Sequence, residues 1–186
     1  MLVPNNSAVV LVASSFLTER PPMHETLTLR AQRLVDVADI IQVPVLIGCF
    51  PGEAETDCLA EAFPNSPSPG FPFHPKPETW ATTEFGQAIA AVSRNQVVIA
   101  GFWLEEAVTL LALNCLAVGY DTYVAGDATP AVDCALEPAA RARLTQAGVV
   151  PTSIDQVIRE WAALHDNPAH AVKLIAGLPQ RVQSSP

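Results

Sequence analysis

Few side chains in this chain are placed to act on a small molecule. Glu105 and Glu106 stand side by side where an apolar, helix-like segment opens. Carboxylates there stabilise a helix N-terminus by about 0.3–1 kcal/mol each. A carboxylate aimed into a pocket would instead repel an anion. With Trp80, Phe102 and Trp103 beside it, such a pocket would suit a cationic or aromatic guest; the alternative is that these aromatics simply pack the core. Ser14, Ser15 and Thr109 are hydroxyls near the same region, but His24, His74, His165 and His170 carry no motif spacing that would activate them. G-x-S-x-G is absent. Cys49, Cys58, Cys115 and Cys134 include no C-x-x-C pair and have no histidine at a ligand spacing, so neither a zinc site nor a redox dithiol is expected. Cys115 reads as a small core residue. Lys76 and His74 lie in a Pro-rich stretch, Lys76 most simply as a solvated lysine and His74 within reach of a pocket mouth.

The stretch 97–127 must position these groups. Residues 97–100 (VVIA) are a short β-branched run, as in a strand buried on both faces, and end at Gly101. Residues 104–118 are apolar all round, without Pro or Gly, which predicts a buried helix stopped at Gly119. Residues 122–125 predict the next strand. In such a strand–helix–strand unit the binding site lies at the carboxyl end of the strands, here near 101–107.

The rest of the chain keeps that rhythm. Strands are predicted at 7–13 and 43–49, with a helical stripe over 25–42 between them. Residues 50–77 are rich in Pro, Gly, Ser and Asn, with a short strand expected around 70–74. A helix follows within 78–93, capped by Thr82 or Thr83, then one over 136–147 stopped at Gly148. A last strand at 149–153 leads into a helix over 154–164 capped by Ser153, and the C-terminal tail carries a short helical piece at 169–178 before a frayed end. No repeats appear. G-x-G-x-x-G after the first strand and a P-loop are both absent, which sets aside nucleotide-binding folds.

At 186 residues and 49% hydrophobic, the chain fits one α/β domain. Its 16% charged content is low and points to surface buried between copies. A net charge of −9 argues against nucleic acid and anionic membrane as partners. No apolar run approaches the ~18 residues of a membrane span. The first residues lack a basic start, so a signal peptide is not expected and the default location is cytoplasmic.

Ala100–Gly101, followed by Glu105–Glu106, Ala107 and a helix ending in Gly119–Tyr120, resembles the isochorismatase-like (cysteine hydrolase) superfamily. There the segment reads A-G, four variable residues with an acidic one near the end, V-C-V, then a helix ending in G-Y. Laid on without gaps, the family's nucleophilic cysteine falls on Ala107, Glu105 takes the acidic position, and Glu106 replaces an apolar residue. The family's first strand ends in an aspartate base, which falls on Ala13. E-T-W-A-T-T-E-F (78–85) is similar to the family's N-A-W-x-x-x-x-F in Trp80 and Phe85. The family's catalytic lysine has only Lys76 to match it, four residues before Trp80. Gly126–Thr129 matches a strand-end Asp–Ala segment whose Asp127 is structural in the family.

The resemblance implies a three-layer α/β/α sandwich with a mostly parallel six-stranded sheet, spanning residues 1–186 as one domain with 170–186 as a tail. It also implies a homo-oligomer and an ancestral reaction in which a thiolate attacks a carbonyl or imine carbon while a carboxylate and a lysine manage its proton. Alanines at 13 and 107 remove the base and the nucleophile. Two function classes follow. One is a binding or assembly module retained without the ancestral catalysis, its pocket lined by Phe16, Trp80, Phe102, Trp103, Glu105 and Glu106. The other is a divergent hydrolase of small amide, imide or vinyl-ether substrates with relocated catalytic groups. Metal-dependent relatives use an Asp-x-His type of ligand set that is missing here, so no metal or cofactor is expected.

Overall fold

The computed structural model describes residues 1–14, 24–50 and 70–178. Six strands form one parallel sheet in the order β3-β2-β1-β4-β5-β6: β1 Ser7–Ser14, β2 Val45–Phe50, β3 Gly70–Pro72, β4 Gln96–Gly101, β5 Asp121–Ala125 and β6 Val150–Thr152. Among the described residues six α-helices flank it: α1 His24–Ile40, α2 Glu84–Ala91, α3 Thr109–Ala117, α4 Glu137–Ala147, α5 Ile154–Leu164 and α6 Pro168–Ala176. β1 and β4 lie at the centre, and each of their residues is buried, which is why both read as unbroken apolar runs. From β1 the chain winds outward through β2 and β3, then returns to build β4, β5 and β6 on the other side. The winding reverses between β1 and β4, and a crevice is expected where their carboxyl ends diverge.

Side chains alternate along β1 and define two apolar layers. Val9, Leu11 and Ala13 pack with Leu34, Ala38, Ile158, Trp161 and Leu174 of α1, α5 and α6. Val10 and Val12 pack with Phe85, Ile89, Leu111, Ala112 and Leu144 of α2, α3 and α4. The architecture is the expected three-layer α/β/α sandwich, and β3 is the strand anticipated near 70–74.

The segment 104–118 departs from the sequence reading, whereas the helices around it keep to it. The helix anticipated within 78–93 has the expected entry: Thr83 caps α2 by accepting from the Gly86 N–H at 3.1 Å and Glu84 opens its first turn, while Trp80–Thr82 forms a separate 3-10 turn before it. The segment 104–118 is not one α-helix. Leu104–Val108 winds as a π turn with Glu106 out of helical conformation (φ −112°, ψ −107°), and α3 starts at Thr109. The helical piece anticipated at 169–178 is α6. α6 docks through Leu174 and the adjacent Leu178, both buried, and the Gly177 carbonyl accepts from the Arg33 guanidinium. Gly119 and Gly148 do terminate α3 and α4 with positive φ (96° and 107°).

Asp127, after β5, ties the layers together. Its Oδ1 accepts from the Ile154 N–H at 2.9 Å, satisfying an orphan donor at the start of α5, and Arg30 of α1 donates to the Asp127 carbonyl at 3.1 Å. Ser153 caps the same helix through the Gln156 N–H. Asp127→Ala is expected to lower stability by about 1–2 kcal/mol, the cost of a lost cap, read from the urea midpoint; a loss under a few tenths would show the contact to be dispensable.

Candidate functional site

The crevice at the ends of β1 and β4 is closed by backbone. Gly101 adopts φ 121°, and the next residue, Phe102, donates its N–H to the Val12 carbonyl at 2.9 Å. The Phe102–Trp103 peptide bond is cis. The chain then turns sharply. Leu104 N–H donates to the Pro130 carbonyl at 2.8 Å, the N–H groups of Glu106 and Val108 both reach the Trp103 carbonyl at 3.2 Å, and the Thr109 hydroxyl donates to the Leu104 carbonyl at 2.5 Å. Ala107 sits inside this turn at the head of α3, with no exposed surface and apolar neighbours from the α2–α3–α4 layer.

The residues singled out from sequence are not all gathered here. Ala13 is buried at the end of β1, paired in register with Cys49, but it belongs to the apolar layer of α1, α5 and α6, across the sheet from Ala107. Phe102 and Trp103 lie with Ala13 in that layer, their rings edge to face at 5.5 Å. Trp80 lies in the opposite layer, 2% exposed, edge-on to Phe73 and Phe85 with centroids 5.7 Å away in each case. The three aromatics therefore do not line one chamber: alternation across the strands and the sheet between them keep Trp80 apart. Phe16 falls outside the described residues, as do Ser15 and Cys58.

Lys76 is exposed on the segment between β3 and α2, and its ammonium has no partner among the described residues. His74 is likewise exposed. Ser14 is fully buried at the strand end. Cys49 and Cys115 are buried and Cys134 exposed. Burial pushes the Cys115 thiol up to about 12, so it stays protonated and unreactive at neutral pH. His165 and His170 pack against each other at the α5–α6 junction, where the His165 ring nitrogen accepts from the Asn167 N–H at 2.9 Å.

The two glutamates differ in their fixing. Glu105 Oε1 accepts from the Asp133 N–H at 3.0 Å, which pins the loop before α4, while its Oε2 is buried without a partner. Glu106 Oε2 is also buried and unpartnered. Sequence reasoning did not find the cleft that opens beside Glu105, lined by Thr109, Leu136, Ala139, Ala140 and Arg143. Its one legible trace was the spacing 136, 139, 140, 143, a single helical face. Among the described residues no group of three or more His, Cys, Asp and Glu is arranged to hold a metal ion, and no helix is long and apolar enough to cross a membrane.

An all-parallel six-stranded sheet with this closed turn at the head of α3 places the chain among isochorismatase-like folds, and the Isochorismatase domain profile matches residues 18–156. The chain belongs to that family. Among solved structures it is similar to the YcaC gene product of Escherichia coli, an octameric hydrolase of unknown specificity (24% identity over 94% of this chain and 89% of that one, TM-score 0.73). It is also similar to the MAR1 ribonuclease of Caenorhabditis elegans (20% identity, 100% and 97% covered, TM-score 0.68) and to N-carbamoylsarcosine amidase of Thermoplasma acidophilum (18%, 81% and 97%, TM-score 0.64). At these identities the likeness establishes the fold. No curated protein matches the chain.

Proposed function

We propose that the chain keeps the isochorismatase-like fold as a binding or assembly module and has lost the family's cysteine-dependent hydrolysis. The observation that carries this reading is Ala107: at the head of α3, where the resemblance places a nucleophilic thiolate, stands a methyl group with no exposed surface. A helix start favours an anion through its dipole and free N–H groups, but an alanine gives it none to stabilise. Ala13 offers no carboxylate to activate a substitute. Thr109, the nearest hydroxyl in sequence, is committed to the Leu104 carbonyl. Of the ligand classes expected, a cationic one keeps support from the unpartnered Glu105 and Glu106 oxygens. The low charged fraction of 16% and the octameric relative support a homo-oligomer of the 19.8 kDa chain, and the net charge of −9 argues against nucleic acid and anionic membrane as partners.

The test is ammonia release from nicotinamide and from N-carbamoylsarcosine by the purified protein, with light scattering to give its mass. No turnover above buffer, from an assembly larger than one chain, is the expected result. Steady turnover would overturn the reading and direct the search to relocated groups.

A further inference from the structure

The seam between the π turn and α4 has the polarity of a small binding site. Leu136, Ala139, Ala140 and Arg143 lie at i, i+3, i+4 and i+7 and share one face of α4; Glu105 of the π turn and Thr109 at the start of α3 line the other side of the seam. The two alanines are too short to fill it, and a cleft of about 240 Å³ remains.

The charges lining the cleft are unspent. Glu105 is held in place by the Asp133 N–H on one oxygen, while the other is buried and bonded to nothing. A carboxylate on the cleft wall favours an N–H donor beside it. Arg143 is exposed and makes no hydrogen bond or ion pair among the described residues, whereas Arg141, on the same helix, is committed to Glu137 and the Gly126 carbonyl. A free guanidinium is a fork for a carboxylate. Glu105 and Arg143 do not pair with each other, although both line the cleft. Thr109 is 3% exposed, and its oxygen keeps lone pairs after donating to Leu104.

From this arrangement we infer that the cleft binds a small zwitterion, one ammonium and one carboxylate on a short aliphatic body. The ammonium lies on the Glu105 and Thr109 side of the cleft, the carboxylate meets Arg143, and the methylenes lie on Leu136, Ala139 and Ala140. An anion alone would face Glu105 and a cation alone would face Arg143, so each singly charged ligand meets one repulsive group that the zwitterion does not. This inference is independent of the fate of Ala107, because no part of it uses that position.

The experiment is a titration of the isotope-labelled full chain, followed by amide chemical shifts, with glycine, β-alanine, γ-aminobutyrate and δ-aminovalerate. Acetate and methylammonium are the singly charged controls. One length in the series is expected to bind about tenfold more tightly than either control, as for ligands that satisfy both charged groups rather than one. Its shifts should map to the α4 seam. Glu105→Gln and Arg143→Gln should each weaken it by about fivefold or more, close to the loss of one charge-assisted contact. Gln keeps a carbonyl for the Asp133 N–H, and an unchanged melting temperature confirms that the fold is intact. No binding by any member, equal binding by a control, or binding indifferent to both substitutions would each overturn the inference.

Discussion

Replacing Gly101 by alanine is expected to destabilise the domain by about 3–5 kcal/mol, at the upper end of single substitutions. A Cβ built there would lie 2.2 Å from the Val12 carbonyl oxygen and 2.7 Å from the Val12 nitrogen. Both are backbone atoms of the central strand, which cannot swing aside as a side chain would. Residue 101 also holds φ 121°, a conformation that L-residues adopt at a cost of about 1–3 kcal/mol. Relieving the clash means separating β1 from β4 at their carboxyl ends and giving up the Phe102 N–H bond to Val12. Gly119 is the control. It too has positive φ, at 96°, but an added Cβ meets nothing within 4 Å, so Gly119→Ala should cost only about 1 kcal/mol. Urea unfolding of the two variants side by side gives the comparison, and equal losses would show that φ alone, not the approach of β1, demands glycine at 101.

The same junction separates what the sequence made legible from what it hid. Apolar runs of strand length at 7–13 and 97–100 bury between two layers of helices, so the central strands followed from local pattern, and the resemblance supplied the sandwich around them. Ser153, an apolar stripe and a polar face gave α5 its limits, 154 to 164, without help from the rest of the chain. The turn at 104–108 was illegible because its residues are good helix formers. What unwinds it is tertiary: the Leu104 N–H goes to the Pro130 carbonyl, and Glu105 reaches the Asp133 N–H, 28 residues away. No local pattern encodes those bonds. The candidate pocket suffered from the same blindness. Trp80, Phe102 and Trp103 could be grouped by resemblance, but which face each ring takes depends on strand register and on the 3-10 turn that carries Trp80. A seam left open by Ala139 and Ala140 is likewise visible only once two helices are placed.

Trp80 offers the sharpest test of that regrouping. A tryptophan lining a ligand pocket can be cut back with a modest loss of stability and a large loss of binding. One that fills a core behaves the other way. Here the ring is 2% exposed and meets Phe73 and Phe85 edge-on, while Phe85 also stacks on Phe71 at 5.8 Å. Gly48 of β2 leaves the space that the Phe85 ring occupies, since a Cβ there would come within 2.4 Å of it. The four rings thus fasten the β2–β3 side of the sheet to α2 through one cluster. Trp80→Ala removes the largest member and leaves a void that the surrounding rings, held by one another, can fill only in part. The expected cost is about 3–5 kcal/mol by the usual toll of a buried aromatic deletion. Trp80→Phe, which keeps an edge-to-face partner, should recover more than half of it. The measurement is the denaturant midpoint of both variants, with the near-ultraviolet dichroism of the remaining aromatics as a local reporter. A loss below about 1 kcal/mol for the alanine variant, typical of surface or pocket-wall positions, would return Trp80 to the ligand site; the packing around it requires the larger loss, because every face of the indole is already occupied by protein.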